Sequence, residues 1–492
     1  MSTQTDTTKQ RTEHAHVRHK HAARPSWVPS WVRRRALVIG TVVAAAVAAL
    51  LIALNLGSLG SVSIVSGWFP VFLFWVTAAF CVVAVATRRD VLREFAIGIP
   101  IGIGLTVVLF AGLAITQAIP AGAPRSMYVW LIVTCLVAGL ILAGWRRAGW
   151  LRRIVGVGAV GLCVLSAGSV ANQAFQYYPT FDRLLGKTAN NFIDNAQLDA
   201  IRKEVAKTGV LPDHGATLAV TIPGQGLKFT PRQAYVWVPP AWFAPSRPQL
   251  PVIELLHGTP GGPANWTSSS YADAAALAFA GQHHGIAPIL VMPDVNDGGL
   301  TADSECVNSS MFGQVETYLT KAVPEFMQKK FNARTRVGSF AIAGLSEGGT
   351  CAIGLALNNP KEYPVFANYS GLISPRYNED TQQQTIDALF GGSLANFNAH
   401  NPPYLLAHNR YDGMSGWFEA GQQDPVSVQA AHTLQGLAAN AGMDTCVTTP
   451  PGKHNFAFFT IAFQNSLPWL SWKLKLTPEP SSIAAQCAPG KS

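Results

Sequence analysis

In the segment FAIAGLSEGGTCAIGLAL, Phe340–Leu357, a serine stands between two glycines at the end of an apolar run. Residues Gly344 to Gly348 match G-x-S-x-G, and the flanking pattern reads as a buried strand before the serine and a helix after it. A sharp strand-to-helix turn of that kind holds the Ser346 hydroxyl clear of the sheet. Gly344 and Gly348 let neighbouring backbone pack against the turn. Such a serine becomes a nucleophile when a base removes its proton and a third group orients the base.

Two later segments supply those groups. GWFEAGQQDP places Asp424 just past an expected strand, and PPGKHNFAFF places His454 in a glycine-containing loop before an aromatic helix. The order Ser346, Asp424, His454 has element-sized gaps of 78 and 30 residues. His454 would take the serine proton, and Asp424 would fix the imidazole tautomer and stabilise the imidazolium. Asp412, in NRYDGMSG, is the rival acid, although its loop precedes the strand. His400, His408 and His432 read as surface or helix residues. An oxyanion would be received by the backbone N–H of Glu347 and, in the loop LLHGTPGGPANW, by that of Thr259.

The elements that must position these groups alternate. ATLAVTIP and RQAYVWVP read as an opening antiparallel pair. Short apolar strands are expected at 251–258, 287–295, 339–346, 363–371 and 416–421, with a more polar one at 444–452. Helices are expected near 268–284, 310–330, 347–358, 381–390, 427–441 and 455–470. Near-continuous apolar strands alternating with helices imply a mostly parallel sheet with helices on both faces. Residues 176–214 read as a helical connector, 215–475 as the catalytic domain and 476–492 as a tail.

With these motifs together, VIELLHGTPGGPANW, PILVMPDVNDGG, VETYLTKAVPEFMQKKF, AIAGLSEGGTCAIGLAL and GKHNFAFF resemble the esterase D / antigen 85 (mycolyltransferase) branch of the α/β-hydrolases over about residues 215–475. The resemblance implies an α/β-hydrolase fold and serine-dependent acyl transfer at Ser346, Asp424 and His454, with oxyanion amides at Thr259 and Glu347. Antigen 85 members carry Met where this chain has Glu347, and a carboxylate there would disfavour a negatively charged substrate. The membrane region lies outside the resemblance, so the substrate of the secreted mycolyltransferases does not carry over.

The first third has a different character. No residue from Ala36 to Thr87 is charged, and the patch Asn55–Ser63 divides this run in two. Spans are expected at 36–55, 68–87, 95–119, 127–144 and 154–174, with no Asp, Glu, Lys, Arg or His inside any of them, which reads as an anchor more than a transporter. Arg33–Arg35, then Arg88, Arg89 and Arg93, then Arg146, Arg147, Arg152 and Arg153 alternate with loops that hold only Arg125. The positive-inside rule then puts the N-terminus in the cytoplasm and, with five spans, everything after Phe175 outside. The tail 1–35, with His14, His16, His19 and His21, reads as a solvated juxtamembrane segment more than a metal site.

Of the net charge of +9, the residues up to Phe175 carry +12 and the remainder −3, so the folded outer domain has no basic surface for nucleic acid. Cys81, Cys135 and Cys163 fall in the spans. Cys306, Cys351, Cys446 and Cys487 lie outside, and two disulfides are expected in an oxidising compartment, Cys306–Cys351 and Cys446–Cys487 being the favoured pairing of three. Four buried thiols would instead fit a cytosolic domain. No Cys/His cluster has zinc spacing, and no metal or cofactor is expected. Asn265, Asn308 and Asn368 open glycosylation triplets, a pattern frequent by chance. The expectation is a multi-pass plasma-membrane serine esterase acting on a lipid or cell-envelope ester, its partners the bilayer and that acyl ester. Transfer to a sugar hydroxyl would use the same residues. A catalytically silent binding module of the same fold is the reading from another class.

Overall fold

The computed structural model describes residues 59–86, 91–116, 123–185, 192–224, 226–298, 302–379 and 381–481. Four helices come first: α1 (Trp68–Ala86), α2 (Val91–Thr116), α3 (Arg125–Gly144) and α4 (Trp150–Phe175). All four are long and apolar enough to cross a membrane. They correspond to the second to fifth expected spans. The first expected span, the histidine-bearing tail and Cys487 lie outside the described residues. α2 and α4 begin four residues earlier than expected and so take in Glu94 and Arg152. The two charges meet at 2.5 Å, with Glu94 buried, so that each offsets the other's cost near the arginine-rich ends. α2 and α3 approach closely through small residues: a methyl group on Gly139 would overlap the backbone of Gly102, and one on Gly98 would lie 2.7 Å from the Leu140 Cα.

After α4 the chain pairs with the turn that precedes α1. Ile64 N–H donates to the Pro179 carbonyl at 3.0 Å, and Asp182 N–H donates to that of Gly60 at 2.9 Å. The connector contains α5 (Asn195–Thr208). Its start is fixed by a capping box between Asp194 and Gln197, and its end by Gly209 at φ 73°.

The rest is an α/β-hydrolase fold. Its strands are β1 (Ala216–Val220), β2 (Ala234–Val238), β3 (Val252–Leu256), β4 (Ile289–Met292), β5 (Phe340–Leu345), β6 (Val365–Tyr369), β7 (Ser415–Glu419) and β8 (Asp444–Thr448). They lie in the order β1-β2-β4-β3-β5-β6-β7-β8. β1 runs antiparallel to β2, and β2 antiparallel to β4; every other pairing is parallel. The central strands β3 and β5 are buried at every position, as near-continuous apolar runs require in a sheet covered on both sides. One face carries α6 (Ala272–Gln282) and α12 (Phe456–Lys473), packed through Ala276, Phe459 and Phe463. The other carries α7 (Val323–Phe331), α8 (Glu347–Asn358) and, beyond the short α9 (Gln382–Leu389) and α10 (Pro402–His408), α11 (Pro425–Asn440), packed through Met327, Ile353 and Leu434. Trp417, Phe418 and Phe458 belong to these two cores, so the aromatic clusters of GWFEAG and NFAFF pack the interior. Asn368, in the third glycosylation triplet, is buried in β6 and accepts a hydrogen bond from Gly371 N–H at 2.8 Å, which leaves it no room for a glycan.

Glu254 sits fully buried in β3 and accepts a hydrogen bond from the Tyr363 hydroxyl at 2.8 Å. Burial pushes its carboxyl up to about 8, outweighing the Tyr363 hydrogen bond, so the folded protein holds a proton that the unfolded chain releases at ~4.3. The stability from that proton is complete below the unfolded value and is lost as pH rises through the folded one. Thermal unfolding of the wild type against Glu254→Gln at pH 4 and pH 8 is expected to show the wild type losing ground to the variant at pH 8. A difference independent of pH would contradict a proton held at Glu254.

Candidate active site

Ser346 closes β5 and caps α8, with φ 57° and ψ −124°, a backbone conformation that side chains other than glycine rarely adopt. Contacts on both sides hold it there. Its N–H donates to the Tyr369 carbonyl at 2.9 Å, and its own carbonyl accepts from Gly349 and Thr350 N–H at 2.9 and 3.2 Å. A Cβ on Gly344 would overlap the backbone of Gly348, and a Cβ on Gly348 would overlap the Leu256 carbonyl oxygen. Gly258 is equally pressed: a methyl there would lie 2.8 Å from the Ser346 Cβ. The ends of β3 and β5 therefore meet at the serine, and only glycine fits at the points of contact.

The structure brings the three expected side chains into one chain of hydrogen bonds. His454 Nε2 lies 2.9 Å from Ser346 Oγ, and His454 Nδ1 lies 2.8 Å from Asp424 Oδ2. Asp424 precedes α11 and accepts from Ser427 N–H at its first turn. Its loop is laced to the histidine loop by Gln422 N–H to the Pro450 carbonyl at 2.9 Å and by Gln423 N–H to that of Gly452 at 2.8 Å. Burial alone would raise the Asp424 carboxyl, but the hydrogen bond from His454, with Ser427 and Ser370 beside it, outweighs burial and holds the group below its ordinary value. It is therefore a carboxylate at neutral pH, as an orienting acid must be. The His454 and Phe459 rings meet edge to face at 5.3 Å, and His454 stays half exposed.

The alternatives lie elsewhere. Asp412 is mostly exposed and pairs with Arg410 at 2.9 Å. His400 pairs with Glu316 at 3.1 Å, His408 stacks on Tyr404, and His432 is exposed on α11.

Thr259 follows Gly258 in the loop after β3, facing the first turn of α8. Its hydroxyl is hydrogen-bonded to the Glu347 carboxyl, and Asn296 Nδ2 donates to Thr259 Oγ1 at 2.7 Å and to Glu347 Oε2 at 3.1 Å. Glu347 is thus turned inward and 8 % exposed, with its carboxyl on Thr259 and Asn296. Burial and the neighbouring Asp303 and Glu305 push its carboxyl well above the ordinary carboxylate range, against the hydrogen bonds from Thr259 and Asn296. Behind the loop, fully buried His257 lies 3.1 Å from Asp294, which also receives Arg232 Nη2 at 2.6 Å. Burial would raise Asp294, but His257 and Arg232 hold it at about 2. Asn296, His257, Asp294 and Arg232 were not singled out from the sequence. The signal available was the run PDVND, with three polar residues directly after an apolar strand.

Cys306 is disulfide-bonded to Cys351 on α8, as expected, and Cys446 is also disulfide-bonded. Its favoured partner, Cys487, lies outside the described residues. The first bond ties the segment carrying Asp303 and Glu305 to the helix carrying Glu347.

The arrangement can deprotonate a serine hydroxyl. Asp424→Asn is expected to cut kcat on a soluble ester by roughly a thousandfold or more while Asp412→Asn leaves it unchanged; equal effects would remove Asp424 from the relay. Gly348→Ala is expected to lower the thermal midpoint and abolish esterase activity, since the added methyl overlaps backbone of β3. An active Gly348→Ala protein would show that the turn tolerates opening.

Three comparisons bear on kinship. A Corynebacterium glutamicum protein described as "Uncharacterized protein Cgl0967/cg1104" is 35 % identical over 321 residues, covering 63 % of this chain and 74 % of its own. Among solved structures, an S-formylglutathione hydrolase from Agrobacterium tumefaciens is similar at 18 % identity with a TM-score of 0.45, covering 54 % of this chain and 98 % of its own. Mycobacterium tuberculosis MPT51 (FbpC1) is similar at 19 % identity and 0.40, covering 52 % and 98 %. The family model described as "Putative esterase" matches residues 230–479, about half of the chain, and the protein belongs to that family of serine hydrolases.

Proposed function

We propose that the protein is a membrane-anchored serine esterase whose catalytic domain lies on the extracytoplasmic side and cleaves a lipid or cell-envelope ester through an acyl-enzyme. The observation that carries this reading is the hydrogen-bonded chain Ser346–His454–Asp424 on a turn that forces the serine to positive φ. In the first half-reaction Ser346 Oγ attacks the ester carbonyl as His454 Nε2 takes the hydroxyl proton. The carbonyl oxygen becomes an oxyanion received by the backbone N–H groups of Thr259 and Glu347. Glu347 is the first residue of α8, where N–H groups have no partner within the helix. Collapse returns the proton from His454 to the departing alcohol and leaves an acyl-serine. Water, deprotonated by the same histidine, then attacks the acyl-serine and releases the acid.

Two features support the placement. The disulfides suit an oxidising compartment, and the loops between alternate helices carry the arginines expected of the cytoplasmic face. The membrane region also runs directly into the site. Tyr177, two residues past the end of α4, donates its hydroxyl to the Pro260 carbonyl at 2.6 Å, and its ring lies 4.7 Å from Phe456. Pro260 adjoins Thr259, and Phe456 lies two residues from His454. Burial keeps the Tyr177 phenol protonated up to about 12, so that donor persists at any physiological pH. An active site held this close to a bilayer suits an acyl ester that resides in it.

With full-length protein reconstituted in liposomes, an ester lipid in the same bilayer is expected to be hydrolysed far faster than the same lipid in added, protein-free vesicles. Equal rates would contradict membrane-delivered substrate. On intact cells a membrane-impermeant fluorophosphonate is expected to label the wild type and not Ser346→Ala. Label that enters only after lysis would place the domain in the cytoplasm.

A further inference from the structure

Glu347 is one residue past the nucleophile, and its backbone N–H is assigned above to the oxyanion. Its side chain, however, turns back across that site to Thr259, the residue assigned the second N–H. Asn296 completes a closed triangle. Ser304 N–H donates to Asn296 Oδ1 at 2.8 Å, which fixes the amide so that Nδ2 faces Thr259 Oγ1 at 2.7 Å and the two Glu347 oxygens at 3.1 and 3.3 Å. The Thr259 hydroxyl also lies 3.2 Å from the Ala302 carbonyl. We propose that Glu347 is a positioning residue, its carboxyl clamping the loop after β3 to the first turn of α8 and thereby setting the separation of the Thr259 and Glu347 N–H groups. This rests on the acyl-transfer reading of the site.

The hydrogen-bond inventory closes when the carboxyl is a neutral acid. An ionised Glu347 takes the single threonine hydrogen and leaves none for the Ala302 carbonyl, whereas the neutral acid's Oε2–H donates to Thr259 Oγ1 and frees that hydrogen for Ala302. Asn296 then spends one hydrogen on the threonine and one on the Glu347 carbonyl oxygen, Oε1 at 3.3 Å. The charged and titratable groups around it favour the same state. Asp303 and Glu305 face it from the loop pinned by the Cys306–Cys351 disulfide, and His454 lies beyond Ser346. Of the nearby cations, Arg232 is engaged by Asp294 and Arg376 lies against Glu305. An ionised Glu347 would put a negative charge beside the amide that must receive a developing oxyanion, whereas the neutral acid clamps without opposing that charge. Proton loss from Glu347 as pH rises therefore weakens transition-state binding and leaves ground-state binding little changed.

The test uses full-length protein in detergent, a soluble p-nitrophenyl ester and fluorophosphonate labelling. Glu347→Ala is expected to lower kcat by about tenfold or more with little change in KM, as loss of a transition-state interaction does. Glu347→Gln reproduces the neutral acid's donor and acceptor, so it is expected to stay within about threefold of wild type and to keep its activity at alkaline pH where the wild type declines. Should Glu347→Ala fail to fold, Thr259→Val removes the same bond from the other side and is expected to lower kcat likewise. A wild-type kcat in whichever of those two variants folds, Glu347→Gln as impaired as Glu347→Ala, or one shared alkaline decline in wild type and Glu347→Gln would each overturn the clamp. Absence of fluorophosphonate labelling in folded wild type would instead overturn the serine-hydrolase assignment of Ser346, a separate failure.

Discussion

The convergence of backbone at Ser346 is the constraint on which the rest of the site depends. Gly344 touches Gly348, Gly348 touches the carbonyl of Leu256, and Gly258 touches the serine itself, so β3, β5 and α8 meet with no side chain between them. Such an approach forces Ser346 to φ 57° and lifts its hydroxyl to His454. The strain is held by hydrogen bonds from both flanking segments and by a sheet buried on both faces, which overdetermine the turn. Positions that elsewhere would tolerate alanine here tolerate nothing larger than hydrogen.

Around that turn the carboxyl groups divide by their partners. Asp424 keeps its charge because His454, Ser427 and Ser370 compensate burial, and Asp294 keeps its charge because Arg232 and His257 do. Glu347, whose neighbours are the neutral donors Thr259 and Asn296 and the acids Asp303 and Glu305, is pushed the opposite way. Carboxyl groups within one small region are thus driven to opposite protonation states by their partners, the usual means of separating an orienting anion from a neutral hydrogen-bonding acid. The end of the apolar helical region joins the same network: Tyr177 packs against Phe456 and holds Pro260, so both loops that flank Ser346 are braced by the chain emerging from α4.

Ser346, Asp424 and His454 were legible in the sequence because each closes or follows a regular element, and the alternation of elements is written in hydrophobic periodicity. The same periodicity conveyed the parallel sheet and four of the apolar helices. The ends of the apolar helices were less legible, since Glu94 and Arg152 signal a boundary by residue type and neutralise one another only through packing. Asn296 was signalled only by the polar run PDVND, and His257 and Arg232 were not legible at all. Their partners stand 37 to 62 residues away in sequence, and no local pattern announces a hydrogen bond at that range. Glu347 was legible as an anomaly, but its inward orientation follows from Thr259 and Asn296, which only the fold brings to it.

The central claim, that this fold activates Ser346 for acyl transfer, is tested most directly by acid-quenching full-length protein after brief exposure to p-nitrophenyl acetate and locating the acetyl group by peptide mass spectrometry. The expected result is a single acetyl group on the peptide that carries Ser346, lost in Ser346→Ala and slow to appear in Asp424→Asn. An acetyl group on another residue, or ester hydrolysis that continues unchanged in Ser346→Ala, would contradict the account.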